Sequence, residues 1–171
     1  ANAIYEGVDA VMLSGETSVG RYPARRVEQL DKIAKNAERF PGLGYEKALT
    51  VSGDKQHVAV HAVALAEALN AEGIVVITRR GVTADFVTSA RPHSVPIFAF
   101  TNNSQTRRRL ALNRAVSAAR IAFSSDPEKT LQRSFDLLRE REGLHKACKL
   151  VVISDVLANQ PTEAIQIRNL T

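Results

Sequence analysis

Short apolar runs alternate with amphipathic stretches along most of this chain, and the alternation predicts its secondary structure. Five runs have the length and composition of largely buried strands. They are residues 74–78, 95–100, 116–123, 150–154 and 164–170. Apolar positions at helical spacing predict four helices, at residues 57–69, 83–90, 104–112 and 126–142. Repeated strand–helix–strand units place helices on both faces of a parallel sheet, so we expect a small three-layer α/β domain with a mostly parallel five-stranded sheet.

The fifth apolar run requires a different connection. About nine residues separate it from the fourth run, and Asn159, Gln160 and Pro161 lie among them. This segment is too short for a crossover helix and is typical of a hairpin. We therefore expect the last strand to be antiparallel and to lie at or near an edge of the sheet.

The first 54 residues do not continue this pattern. Residues 10–14 form an apolar run that predicts a strand, a polar turn follows, and Pro23 begins a helix that extends to Arg39. Residues 41–54 combine glycine, proline and serine and are the best candidate for a linker. The expected organisation is a strand–helix unit at residues 1–40, a linker at 41–54 and the α/β domain at 55–171.

The composition is that of an ordinary globular protein. Hydrophobic residues make up 44% and charged residues 24% of the 171 positions. No apolar run approaches the roughly 20 residues that cross a bilayer, so we expect no membrane association. Cys148 is the single cysteine, which excludes an intramolecular disulfide and agrees with a cytoplasmic location.

A net charge of +5 raises the question of nucleic-acid binding. The basic residues are spread along the chain and aromatic residues make up only 5%, so the sequence favours no nucleic-acid partner. Two basic clusters stand out, Arg79–Arg80 and residues 107–109. The second lies on a predicted helix, and we expect its arginines to form a solvated face.

Residues 78–83 are the strongest candidate for a binding site. An apolar strand ends and a helix begins there, so backbone N–H groups, two hydroxyls and two guanidinium groups could meet one anion. The residues concerned are Thr78, Arg79, Arg80, Gly81 and Thr83. The alternative is a plain strand-to-helix turn in which Thr83 caps the helix and the arginines are solvated.

Other candidate sites receive less support. Ser14, Glu16 and Thr17 lie at the end of the first predicted strand and could meet a substrate or orient neighbouring backbone. His57 and His61 are four residues apart but lack the glutamate of a zinc helix, so we predict no metal site. The absence of Walker and G-x-G-x-x-G patterns argues against nucleotide hydrolysis and dinucleotide binding.

Two longer segments carry more specific motifs. Residues 1–23 include an Ala-Asn-Ala helix end, MLSGET and a G-x-YP helix entry. Residues 74–110 include a T-x-x-G-x-[ST]-A loop and a T-x-N-x-x-T helix start. Together these segments closely resemble pyruvate kinases, and the resemblance covers essentially the whole chain.

The resemblance implies an enzyme that transfers phosphate from phosphoenolpyruvate to ADP with Mg²⁺ and commonly K⁺, as a cytoplasmic homotetramer. It also implies that residues 1–40 are the last strand–helix unit of a catalytic TIM barrel, and that residues 55–171 are the effector-binding, regulatory domain. The family's catalytic lysine, acidic metal ligands and substrate-binding threonine precede the segment that matches Ala1. We therefore expect no catalytic residue, metal site or cofactor in this chain, and no activity of the chain alone.

In allosteric members of the family, the loop that matches residues 78–83 holds a phosphate of a sugar-phosphate effector. The resemblance implies this role for all five candidate residues of the loop. Relatives that fructose-1,6-bisphosphate activates have a glycine-rich loop after the penultimate strand, whereas this chain has DVLANQPTEA and no tryptophan. We therefore expect a monophosphate effector, or none, instead of a bisphosphate. The alternative to a kinase fragment is a free-standing module that binds phosphorylated metabolites without catalysis.

Overall fold

A computed structural model describes residues 1–144, 147–154 and 164–170. The chain divides into two compact units, Ala1–Leu49 and Thr50–Thr171. The division falls within residues 41–54, the segment in which the sequence predicts a linker.

The first unit contains only helices and turns. Its elements are α1 (Asn2–Tyr5), α2 (Gly15–Ser18), α3 (Pro23–Ala37) and a 3₁₀ helix (Tyr45–Ala48). The strand predicted at residues 10–14 is wrong. No strand occurs between residues 1 and 49, so a strand there would have no partner for its backbone N–H and C=O groups. None of these 49 residues is buried, and Met12 is 89% exposed.

The second unit contains the predicted alternation of strands and helices. Its elements are α4 (Asp54–Ala68), β1 (Gly73–Ile77), α5 (Val82–Ser89), β2 (Ile97–Thr101), α6 (Ser104–Leu110), β3 (Val116–Arg120), α7 (Pro127–Glu142), β4 (Lys149–Ser154) and β5 (Ala164–Asn169). Each element lies within three residues of its predicted bounds. None of the helices in the described part of the chain is long and apolar enough to cross a membrane.

The five strands form one sheet in the order β3-β2-β1-β4-β5. The first four strands are mutually parallel, and β5 pairs antiparallel with β4 at the edge. The predicted mixed sheet with an antiparallel last strand is therefore confirmed. The predicted hairpin connection, residues 155–163, lies outside the described residues.

Successive strand residues point to opposite faces of the sheet, so the strands present apolar side chains on both faces. Helices cover these side chains on each face. Ile74 and Val76 of β1 pack in one core with residues of α4 and α5. Val75 and Ile77 pack in the other core with residues of α7. The domain therefore has the three predicted layers, and β1 lies at the centre of both cores.

Glu67 of α4 fixes the turn that follows α5. Its Oε1 accepts hydrogen bonds from the backbone N–H groups of His93 at 2.7 Å and Ser94 at 3.1 Å, and its Oε2 accepts one from the Ser94 hydroxyl at 2.6 Å. Burial raises the pKa of Glu67, but the hydrogen bonds from Ser94 and His93 outweigh burial and lower this pKa below its ordinary value. The ionised carboxylate therefore stabilises the folded domain.

We predict that this contribution disappears in acid. Because the pKa of Glu67 is lowered in the folded state, its carboxylate contributes its full stabilisation at pH values above the ordinary glutamate pKa of about 4.3. This stabilisation is lost as the pH falls through the lowered pKa of the folded state. The free energy of unfolding of the wild type should therefore exceed that of E67Q at neutral pH, by a margin that narrows below about pH 4. Denaturant titrations at several pH values measure this margin. E140Q, at an exposed position of α7, is the control, and a margin that is independent of pH would contradict the prediction.

Candidate anion-binding site

The loop at residues 78–81 lies at the carboxyl end of the central strand. The chain runs from β1 outward to β2 and β3, and then returns to the other side of β1 as β4. In open α/β sheets such a reversal of strand order opens a crevice at the carboxyl ends of the two strands, where ligands commonly bind. Here the two strands are β1 and β4, which end near Thr78 and Ser154.

The loop begins with a turn that closes on itself. The backbone N–H of Thr78 continues the sheet by donating to the carbonyl of Phe100 at 2.9 Å. The hydroxyl of Thr78 accepts a hydrogen bond from the backbone N–H of Gly81 at 3.2 Å. Gly81 has φ +84° and directly precedes α5, so the left-handed conformation that turns the chain into the helix falls on glycine.

A second anchor comes from the end of β2. The buried Thr101 hydroxyl donates to the carbonyl of Arg79 at 3.1 Å and accepts from the N–H of Asn103 at 3.2 Å. The Asn103 side chain caps α6 by accepting from the N–H groups of Gln105 and Thr106 at 2.8 and 3.0 Å. The T-x-N-x-x-T motif therefore ties the start of α6 to the loop after β1.

The third anchor is Arg109 of α6. Its Nη2 donates to the carbonyl of Arg80 at 2.9 Å, and its Nη1 lies 3.0 Å from both carboxylate oxygens of Asp85 on α5. Asn113 donates to Asp85 Oδ1 at 2.8 Å. The Arg109 and Asp85 side chains are 47% and 36% exposed, so the ion pair adds little stability by itself. Its main effect is to fix the loop and α5 relative to α6.

The arginine side chains of the loop remain available to a ligand. Arg79 and Arg80 are exposed, and neither guanidinium has a hydrogen bond or an ion pair within the described residues. The net charge around the loop is +2, since the carboxylate of Asp85 offsets one of the three guanidinium groups of Arg79, Arg80 and Arg109. The N–H groups in the first turn of a helix also lack intrahelical acceptors. The loop can therefore attract an anion.

The two threonines of the loop, whose hydroxyls the sequence places among the groups that could meet an anion, are buried. Both Thr78 and Thr83 are 0% exposed, and the Thr78 hydroxyl accepts its hydrogen bond from within the loop. In this conformation Arg79 and Arg80 are the candidate groups that solvent reaches, whereas Thr78 and Gly81 shape the backbone. The binding role of all five residues stays a prediction.

The other predicted positions make local contacts. In the first unit, Glu16 accepts from the N–H of Ser14 at 3.2 Å, and the Thr17 hydroxyl donates to the Ser14 carbonyl at 3.2 Å. These bonds orient the first turn of α2, and a substrate role for the three residues stays a prediction. His61 Nδ1 lies 2.7 Å from the carbonyl of His57 on α4. Residues 1–144, 147–154 and 164–170 contain no cluster of three or more His, Cys, Asp or Glu side chains that could hold a metal ion.

Arg109 makes contacts that the sequence does not predict. Its side chain is 47% exposed, as expected for the solvated face that it shares with Arg107 and Arg108, but its guanidinium also contacts the loop and α5. Helical phase could have indicated this difference. Thr106 and Arg109 are three residues apart and are neighbours on one side of α6, whereas Arg108 lies on the opposite side.

Comparisons with known proteins agree with this architecture. The profile of the family described as "Pyruvate kinase, alpha/beta domain" matches residues 56–167. Pyruvate kinase isozyme G, chloroplastic, from Ricinus communis is 35% identical and aligns with 99% of this chain. A pyruvate kinase from Dictyostelium discoideum is 33% identical over 100% of the chain, and pyruvate kinase II from Salmonella typhimurium is 32% identical over 90%.

A solved structure and the lengths of these relatives complete the comparison. A crystal structure of a pyruvate kinase from Cryptosporidium parvum matches 99% of this chain with a TM-score of 0.86 and 25% identity. This chain spans 42% of the Ricinus protein, 35% of the Dictyostelium protein, 32% of the Salmonella protein and 35% of the Cryptosporidium chain. The match of fold and sequence shows that the chain belongs to the pyruvate kinase family and contains its α/β domain.

Proposed function

We propose that this chain is the regulatory part of a pyruvate kinase that transfers phosphate from phosphoenolpyruvate to ADP, and that the loop at residues 78–83 binds a phosphate group of an effector. The observation that carries the proposal is the loop itself. Side chains from β1, β2 and α6 hold its backbone, while Arg79 and Arg80 remain exposed.

The extent of the alignment favours a kinase part over a free-standing binding module. A module would need to resemble the family only over the α/β domain, whereas the Ricinus and Dictyostelium relatives also align with residues 1–49. We therefore propose that residues 1–40 correspond to the last unit of a catalytic barrel, in which residues 10–14 would gain a neighbouring strand that residues 1–49 do not contain. The exposed apolar side chains of this unit, such as Met12 and Val19, agree with a surface that further protein covers.

The remaining predicted properties belong to the proposed whole enzyme. Pyruvate kinases generally use Mg²⁺ and K⁺, but the described residues of this chain include no donor cluster that fits a metal ion. We assign this chain a role in assembly as a homotetramer and in binding a phosphorylated effector, with no role in holding the metals. The predicted cytoplasmic location stays a prediction, because the relatives include a chloroplastic isozyme.

We predict that the 171-residue chain by itself forms no ATP from phosphoenolpyruvate and ADP. Phosphoryl transfer requires positioned metal ions and cationic groups around the phosphate, and the described residues offer no metal site. A coupled assay with Mg²⁺ and K⁺ present checks this expectation. Turnover above that of a mock purification would contradict it.

We predict that replacing both exposed arginines of the loop weakens phosphate binding. Loss of a charge-assisted hydrogen bond costs about 1.5 to 3 kcal/mol, so R79A/R80A should bind a phosphate ligand at least about tenfold more weakly than the wild type. The fold should survive because both side chains are exposed. Calorimetric titration with inorganic phosphate, hexose monophosphates and hexose bisphosphates measures the change.

The matched control for this experiment is R107A/R108A. It removes the same number of charges from exposed positions of α6 whose side chains form no hydrogen bond or ion pair within the described residues. A nonspecific charge effect would weaken binding equally in both double mutants. Equal affinity of R79A/R80A and the wild type would place the site elsewhere, and no binding by the wild type would favour a plain strand-to-helix turn.

A further inference from the structure

We infer that Arg109 is a positioning residue for the loop at residues 78–81: together with Asp85 and Asn113 it holds the loop in the conformation that binds an anion. This inference rests on the proposed function. Arg109, Asp85 and Asn113 are called the Arg109 network below.

The backbone of the loop is fixed at three successive residues by three side chains. The carbonyl of Arg79 is bound by Thr101, the carbonyl of Arg80 by Arg109, and the N–H of Gly81 by Thr78. Thr78 directly follows β1 and Thr101 is the last residue of β2, so the sheet itself positions both side chains. Arg109 is the only one of the three that comes from a helix, and its bond is therefore the one that links the loop to the layer above the sheet.

The charge of Arg109 is already engaged. Both carboxylate oxygens of Asp85 lie 3.0 Å from Nη1, and Nη2 donates to the carbonyl of Arg80. Arg109 therefore acts on a ligand through the loop, whereas the guanidinium groups of Arg79 and Arg80 have no hydrogen bond or ion pair to any residue that the structure describes. The network separates the residue that shapes the loop from the residues that supply its charge.

Gly81 provides independent support, because the guanidinium of Arg109 packs directly on it. A Cβ at this position would overlap Nη2 of Arg109 and would lie 3.1 Å from Cγ2 of Thr106 and 3.2 Å from Cδ2 of Leu110. Glycine is favoured here by its positive φ, and any larger residue would also have to displace the Arg109 guanidinium.

Amide hydrogen exchange tests the positioning role without any ligand. We expect R109Q to speed exchange at residues 79–83, because the carbonyl of Arg80 loses its donor and α5 loses its link to α6. R108Q is the matched control, since it removes one positive charge from the adjacent exposed position, whose side chain forms no hydrogen bond or ion pair within the described residues. Equal loop exchange in R109Q and R108Q would overturn the inference whether or not phosphate binds.

Titration with inorganic phosphate connects the loop to its ligand. If the released loop occupies the binding conformation for about a third of the time, the apparent Kd of R109Q rises about threefold, while that of R108Q changes less. Binding by the wild type with the same affinity in R109Q and R108Q would overturn the inference and leave the proposed function intact. Absence of phosphate binding by the wild type would overturn the phosphate site itself, and any loosening in R109Q would then be structural only.

Two further variants separate geometry from charge. D85N makes the surroundings of the loop more positive but breaks the two-oxygen contact that orients Arg109. We expect weaker phosphate binding in D85N, whereas a direct ligand role of Arg109 predicts tighter binding. R109K keeps the charge but lacks the planar fork that reaches Asp85 and the Arg80 carbonyl together, so it should not restore the wild-type affinity. Tighter binding in D85N, or full recovery in R109K, would overturn the inference.

The contact between Gly81 and Arg109 predicts an ordering of two glycine variants. G81A must place a Cβ in the left-handed region and also displace Arg109, whereas Gly143 also has a positive φ, +66°, but no atom of the described residues lies within 4 Å of a Cβ there. G81A should therefore lower the denaturation midpoint further than G143A and should speed exchange in the loop, as R109Q does. Equal midpoints with an unchanged loop would overturn the proposed packing of Arg109 on Gly81.

Discussion

The complete burial of β1 is the constraint from which the rest of the domain follows. All five residues of this strand are buried, so its backbone N–H and C=O groups have no access to water and must pair on both sides. β2 and β4 supply those pairs, and the helices above and below cover the two faces. The chain can leave such a strand only by turning sharply at its carboxyl end, where the candidate site lies.

Beyond the end of β1, side chains instead of neighbouring strands form the hydrogen bonds to the backbone of residues 79–81. Thr78 and Thr101 provide short hydroxyl contacts near the sheet, and Arg109 reaches the next carbonyl from α6. A rigid backbone is useful for recognition because the ligand does not have to pay for ordering it. The exposed arginines then add charge to a shape that already exists.

The sequence was sufficient for the architecture because the hydrophobic pattern and the loop lengths limit the topology strongly. Short apolar runs separated by helical segments leave few alternatives to a parallel sheet, and the nine residues before β5 leave no room for a crossover. The predicted strand at residues 10–14 failed for a related reason. An apolar run predicts a strand only where another strand can pair with it, and residues 1–49 contain none.

The candidate site was predictable in place but not in detail. The strand end, Gly81 and the Arg79–Arg80 pair are local features, and local sequence identifies them. The burial of Thr83 and the contact of Arg109 with Asp85 depend on tertiary packing. Asp85 and Arg109 are 24 positions apart in the chain. Sequence without homologues carries little information about such pairs.

The packing of Arg109 on Gly81 has a consequence for how this part of the family can change over evolutionary time. A larger residue at position 81 would displace the guanidinium, and a shorter residue at position 109 would leave Asn113 as the remaining side-chain partner of the Asp85 carboxylate among the described residues. Positions 81, 85 and 109 are therefore coupled, and a substitution at one of them changes which residues are acceptable at the other two. Substitutions at these three positions should therefore occur as a set in homologues, and covariation among them would record their shared packing.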